Sequence, residues 1–530
     1  MWLSAAVARA ASPAPALACG RRCLLRSLVP ILLWGFLLAG TRASAAPRAG
    51  TDPPAPTTPA PGAPSNPAAS PGSLADIYRE AAARLIDAAL ASDHAYLRLS
   101  QLCDGIGHRL SGSENLERAV AWAAGAMRED GLDVRLQPVM VPHWVRGRES
   151  ASMVAPRRAP LALLGLGRSV GTTRHGITAD VAVVRSFENL VALPQSAVRG
   201  RIVLYNVPFT TYGETVRYRS RGADSAAARG AVAVLVRSVG PASLRTPHTG
   251  ALNYGGEVPR IPAAAVSLED AEMMQRLADR GERVRVHLQM EARMLPDALS
   301  HNVIGELRGS ELPQEVVLIS GHLDSWDVGA GAHDDGGGCV IALEAARLIH
   351  RLDLRPRRTL RVVLWTNEEN GGRGGRVYRD SLGDAVARHV AALESDGGVE
   401  RPVGFGVRVS HEEGDEIGKA RHANAVARVR EIAPLVAGLG ADQITDNGGG
   451  ADIDPLMKAG VPGLAHRTVM EHYFDWHHTE ADMLDKVDPV ELRKNVAAMA
   501  VMAYVLADMP GRLDAEPLAG AAAAKALESH

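Results

Sequence analysis

Glu315-Val-Val-Leu-Ile-Ser320-Gly-His322-Leu-Asp324 is the stretch on which the fold turns. Its aliphatic and β-branched run is too short for a helix and reads as a buried strand. The strand ends in His322 and Asp324, and Asp334-Asp335-Gly336 follows. A helical pattern then covers residues 336–350. Thr359-Leu-Arg-Val-Val-Leu-Trp365 reads as a second strand, followed by Asn367-Glu368-Glu369. His389-Val-Ala-Ala-Leu393 reads as a third, ending in Glu394-Ser-Asp396. Strands alternating with helices predict an α/β sheet, with chemistry at the carboxyl ends of the strands.

Each of these three strands is therefore followed by acidic or His residues. A fourth cluster, His477-His478-Thr479-Glu480-Ala-Asp482, lies far downstream. Imidazole and carboxylate donors without a cysteine cluster suit Zn²⁺ or a similar divalent ion. Carboxylates at neighbouring strand ends repel one another unless a cation neutralises them. No single piece is specific: Glu412-Glu413 is another acidic pair and reads as solvated loop charge. Order and placement carry the metal reading. Two decoys fail on context. Gly167-Arg-Ser169-Val-Gly171 matches a serine-hydrolase elbow, but no helical pattern follows it. His411-Glu412 fails as a zinc helix because residue 415 is Asp.

The rest of the chain divides around this core. Arg21, Arg22 and Arg26 precede an apolar run from Leu28 to Gly40, and Ala43-Ser44-Ala45 gives a cleavage site. Residues 1–45 read as a signal peptide for export, secreted or periplasmic, with no stable membrane insertion after cleavage. Residues 46–73 are rich in Pro and Ala and read as a linker. Residues 74–149 form the first part of the main domain, with helix caps at Ser73 and Ser113. Short strand-like runs between turns mark 150–299 as an inserted, mostly β domain. Residues 300–510 form the second, catalytic part, and 511–530 a tail. Lys and Arg total 58 against 60 Asp and Glu. Such a balance excludes the basic surplus of a nucleic-acid protein. Cleavage would remove two of the 4 cysteines, leaving Cys103 and Cys339 with at most one disulfide.

Seven stretches together resemble a known family. They are Arg109-Leu-Ser-Gly-Ser113-Glu-Asn-Leu116, Pro142-His-Trp144, Gly321-His-Leu-Asp-Ser-Trp-Asp-Val-Gly329, Asp334-Asp-Gly-Gly-Gly338, Leu364-Trp-Thr-Asn-Glu-Glu369, Glu394-Ser-Asp396 and His477-His-Thr-Glu-Ala-Asp482. The chain resembles the co-catalytic dizinc exopeptidases of the aminopeptidase and carboxypeptidase Q type, over residues 74–508. The resemblance implies a zinc-exopeptidase fold: a mixed central sheet flanked by helices, with a protease-associated-like insert. It implies two zinc ions per chain. His322, Asp334 and Asp396 would hold one; Asp334, Glu369 and His478 the other, with Asp334 bridging. Asp324 would orient His322 through its second ring nitrogen, and the Asp334–Asp335 peptide bond would be cis. Glu368, beside a ligand without being one, would act as general base toward a metal-bridging water.

The implied substrates are dipeptides or short peptides, and the implied assembly is a homodimer. Neighbours in an extended segment point to opposite faces, so only one of His477 and His478 is expected to reach the ion, and the resemblance implies His478, because the family pattern places the ligand directly before Thr479. Tyr473, His477, Gly449 and Gly450 are candidate substrate contacts; Tyr473 also reads as packing, and the glycines as a plain turn. A broader aminopeptidase on the same site and a non-enzymatic, receptor-like relative remain as alternatives. The former differs in what end of the peptide it holds. The latter would lack the metal donors that this chain keeps.

Overall fold

The computed structural model describes residues 72–242 and 244–516. The signal segment 1–45, the linker as far as residue 71 and the tail beyond residue 516 lie outside the described residues. Ser73 caps the helix Leu74–Leu90, its hydroxyl accepting the Asp76 N–H at 3.3 Å. Ser113 caps Glu114–Glu129 in the same way, accepting from Leu116 at 3.2 Å. Each hydroxyl satisfies a donor that the first helical turn leaves free.

The central sheet has eight strands. In spatial order they are Asp133–Val145, Arg293–Leu307, Arg358–Trp365, Leu312–His322, His389–Glu394, Gly463–Thr468, Pro402–Arg408 and Gln443–Thr445. The four strands from Arg358–Trp365 to Gly463–Thr468 run parallel, and antiparallel neighbours flank them. Both faces are covered. Val317 and Ile319 point into a core built with the helices Leu74–Leu90, Gly337–Arg351 and Pro489–Asp508. Leu318, between them, points into a smaller core with Tyr378 and Leu456. A strand buried on both faces needs apolar residues at successive positions, as the Val-Val-Leu-Ile run supplies. Cys103 and Cys339 are buried and unpaired.

The insert is a second eight-stranded sheet, whose strands lie between Glu149 and Met290. Residues 293–299 belong instead to the long strand Arg293–Leu307, which pairs with Asp133–Val145 in the main sheet. The boundary at 299 is thus corrected to about Met290. Four neighbouring strands of the insert run parallel, and it also contains the helices Phe187–Ala192, Tyr212–Ala227 and Leu268–Asp279. It is mixed rather than mostly β. Parallel pairs need crossovers, and Phe187–Ala192 and Tyr212–Ala227 lie in two of them. Among the described residues no helix is long and apolar enough to cross a membrane.

His389 opens a central strand and is buried, with its Nε2 2.9 Å from the Tyr378 hydroxyl. Burial pushes its pKa down to about 4, from an ordinary 6.5. Below the ordinary value the unfolded chain takes up a proton that the folded chain refuses. Stability is therefore full above about pH 6.5 and falls as pH drops toward about 4. We predict that His389→Gln removes about 1–2 kcal/mol of the stability lost between about pH 7 and about pH 5. Urea midpoints at the two pH values check it; an unchanged slope would mean that the ring titrates freely in the folded chain.

Candidate metal centre

Parallel register sets the frame of the site. His322 ends its strand opposite Trp365, and Ser320 pairs with Glu394. The residues that follow these strands, Glu368, Glu369 and Asp396, therefore emerge beside His322. His322 Nε2 lies 3.1 Å from Asp334 Oδ1 and 3.4 Å from Asp396 Oδ1. Asp334 sits in the single turn Ala332–Gly336 ahead of the helix Gly337–Arg351. Its other oxygen lies 3.2 Å from His478 Nε2, and Glu369 Oε2 lies 3.1 Å from that same nitrogen. Asp334 thus faces two clusters, His322 with Asp396 and Glu369 with His478. The Asp334–Asp335 peptide bond is cis.

Surrounding groups hold these side chains in place. Asp335 accepts from the His322 N–H at 2.9 Å and from Gly338 at 3.0 Å. His322 Nδ1 has the backbone carbonyl of Asp324 at 2.9 Å, while the Asp324 carboxylate stands 4.0 Å away. The expected carboxylate–imidazole pairing is corrected accordingly. That carboxylate is taken up instead by the Glu368 N–H at 3.0 Å and the Ser111 hydroxyl at 3.2 Å. Arg109, fully buried, donates to the carbonyls of Leu323, Ala330 and Gly331 and so ties down the loop between His322 and Asp334.

The electrostatics are those of crowded carboxylates. Burial, then the Asp334 carboxylate, pushes Glu369 up to about 7. Burial and Asp396 push Glu394 up to about 7. Burial raises Glu368 well above the usual carboxylate range; His322 opposes this, and Asp396 and Glu369 add to it. Burial also works against the charged form of Asp334, but hydrogen bonds from His322 and His478 hold it well below the usual range. Glu369 Oε1 is buried without a hydrogen-bond partner. Nitrogen and oxygen donors, an orphaned buried carboxylate oxygen and excess negative charge together fit Zn²⁺.

His477 and His478 do not diverge as an extended segment would require. His478 has φ 63, in the left-handed region, and the two rings stack at 3.5 Å between centroids. Both therefore face Asp334, His477 Nε2 at 3.5 Å. Distance separates them better than strand geometry does: His478 reaches Glu369 and Asp334, whereas His477 is close to Asp334 alone.

The sequence pattern of peptidase family M28 matches residues 302–503. Carboxypeptidase Q of Xenopus laevis is 45% identical to this chain over 436 residues, 82% of the chain and 90% of that protein. The chain belongs to peptidase family M28. A crystallised M28 peptidase precursor from Shewanella amazonensis superposes with a TM-score of 0.78 at 34% identity, covering 84% of this chain and 100% of that one. BSAP, a zinc aminopeptidase from Bacillus subtilis, shares the fold at TM-score 0.56 and 22% identity, over 78% of this chain and 94% of that one.

In this M28 chain a cleft of about 280 Å³ opens over the cluster. Glu368, Tyr473, Phe474 and His477 line it, together with Tyr212 and Arg219 from the insert. Gly449 and Gly450 do not line it. A side chain at Gly450 would collide with the Glu394 carboxylate, and one at Gly449 with Met457. These glycines serve close packing rather than substrate contact. Ser169 of the decoy motif is buried, its hydroxyl bonded to Ala263 N–H and Val170 carbonyl.

Asp482, at the end of the quoted His477–Asp482 motif, has a role that sequence alone did not suggest. Its carboxylate accepts from the N–H groups of Ala332, His333 and Asp334 at 3.1, 2.8 and 3.1 Å. It thereby fixes the turn that carries Asp334. Losing it leaves buried donors unpaired, so Asp482→Ala is predicted to cost on the order of 3 kcal/mol, and Asp482→Asn less. Denaturant midpoints check this; a cost below about 1 kcal/mol would mean that water substitutes for the carboxylate.

Proposed function

We propose that this chain is an exported dizinc exopeptidase cleaving dipeptides or short peptides, with Glu368 as general base. Family membership makes it a zinc-dependent exopeptidase. The observation that carries the finer reading is the shared carboxylate. Asp334 stands between His322 with Asp396 and Glu369 with His478, and Glu368 lines the same cleft. His322, Asp334 and Asp396 would hold one ion; Asp334, Glu369 and His478 the other. One carboxylate with two oxygens would serve both, so that each ion would have three protein donors, the number that catalytic zinc takes.

Zinc bound there supplies a water acidified toward neutrality and positive charge for the developing oxyanion. Glu368 is anchored through its backbone by Asp324, which leaves its carboxylate free to take the proton of the attacking water. It then returns that proton to the departing amine. Its burial, which favours the protonated form, makes it a stronger base than an exposed carboxylate. The cleft, at about 280 Å³, sits at the small end of ligand sites, which suits short peptides. The 45% identity to carboxypeptidase Q favours that activity over the aminopeptidase of the more distant fold relative. A receptor-like relative is disfavoured by the complete donor set.

Metal analysis of the purified chain is predicted to find about two zinc ions, in Glu368→Gln as in the unaltered protein. Dipeptide hydrolysis by Glu368→Gln is predicted to fall about 10²–10⁴-fold. A metal-free chain active in strong chelator would sink the metal reading. Near-normal turnover in the variant would sink only the role of Glu368.

Export rests on residues 1–45: arginines, a short apolar run and Ala43-Ser44-Ala45. Amino-terminal sequencing of the protein from its native source is predicted to begin near Ala46. An intact Met1 on active, cytoplasmic protein would contradict it.

A further inference from the structure

The insert reaches into the metal centre at His478. The Thr249 N–H donates to the His478 carbonyl at 3.0 Å, and the Thr249 carbonyl stands 3.3 Å from His478 Nδ1. Arg219, on the insert helix Tyr212–Ala227, donates Nη1 to that same carbonyl at 3.1 Å and Nη2 to the Tyr212 hydroxyl at 2.9 Å. On its other side Thr249 is tied by its hydroxyl to the Gly165 carbonyl at 2.7 Å. Arg219 is buried, and among the described residues it forms no ion pair. Gly250 has φ 135, and a side chain there would strike the Arg219 guanidinium.

Chemistry decides what this arrangement does. His478 Nε2 points toward Glu369 and Asp334, at 3.1 and 3.2 Å. To offer its lone pair to a metal there, Nε2 must be bare and Nδ1 must carry the ring proton. Nδ1 has two polar neighbours, the Arg219 guanidinium at 3.3 Å and the Thr249 carbonyl. Arginine has no acceptor. Only the Thr249 carbonyl can receive the proton, and a carbonyl has two lone pairs, one for His478 and one for Arg219.

We propose that the insert is a working part of the metal centre: the Thr249 carbonyl, fixed by Arg219, holds His478 in the tautomer and orientation that bind zinc. Arg219 is then a positioning residue, acting on the metal through Thr249 and His478. The proposal rests on His478 being a ligand, and the test separates the two.

Full-length apoprotein is titrated with Zn²⁺ against a competing chromophoric chelator. In Arg219→Met, which keeps bulk but removes every donor, one of the two sites is expected to weaken about 10–100-fold while the other is unchanged. Arg219→Lys, which keeps the charge and one reach of donor, is expected to recover part of the loss. His478→Ala is the reference. If His478→Ala weakens one site but Arg219→Met and Arg219→Lys both bind zinc as the unaltered chain does, the proposal is overturned and the ligand assignment stands. If His478→Ala leaves both sites intact, the ligand assignment itself is overturned, and the proposal with it. Equal weakening of both sites in Arg219→Met also overturns the proposal, because that is general loosening. Should Arg219→Met fail to fold, Arg219→Lys alone decides: selective weakening of one site supports it, and none overturns it.

Discussion

A carboxylate shared between two clusters of donors sets the conditions for the rest of this molecule. Asp334 is buried with His322 on one oxygen and His478 near the other, and Asp396, Glu368 and Glu369 crowd around it. Water screens charges of one sign poorly when they are this deep. Protonation relieves such crowding in part, and the raised pKa values of Glu369 and Glu394 express that tendency. A divalent cation would relieve it more fully, because one ion offsets two negative charges where one proton offsets one. The rest of the fold delivers these groups to one place and keeps them there.

Delivery is the task of the parallel strands, whose register puts His322, Glu369 and Asp396 at the carboxyl ends of three neighbouring central strands. Retention is the task of hydrogen bonds from outside the donor set. Arg109 spends its guanidinium on backbone carbonyls between His322 and Asp334, and Asp482 spends its carboxylate on the N–H groups of the Asp334 turn. The two restrain that segment with charges of opposite sign. Both bond to backbone rather than to other charged side chains, so neither competes with a metal for its donors.

The strands and candidate donors were legible in the sequence because burial on both faces forces uninterrupted apolar runs, and because His322 ends one such run while Asp334, Glu369 and Asp396 lie in the segments that come after them. Ser73 and Ser113 announced their helices through capping chemistry. The helix Tyr212–Ala227 was not legible: Gly213, Gly222 and the arginines 217, 219 and 221 break the apolar stripe that marks a helix. Nor was the stacking of His477 on His478, since a left-handed φ at a histidine has no sequence signature. Arg219 and Asp482 were missed for a related reason. Their partners are backbone groups distant in the chain, and backbone groups leave no trace in residue types.

Chemistry and selectivity occupy different parts of the structure. His322, Glu368, Glu369 and Asp396 stand at or just after strand ends of the central sheet, whereas His478 and the walls of the cleft come from a late loop and from the insert. Tyr212 stacks on Phe474 with ring centroids 5.2 Å apart and meets His477 edge-on at 5.1 Å. Aromatic residues make up only 4% of the chain, so their concentration at this mouth gives the cleft an apolar wall opposite its carboxylates. Changes in that wall need not disturb the strand ends, because the wall rests on other elements. The exception is the tie from Thr249 to His478, where the wall and the donor set meet. Through it a change in the insert would reach the His478 side of the cluster, whereas His322 and Asp396 stand at the ends of strands of the central sheet.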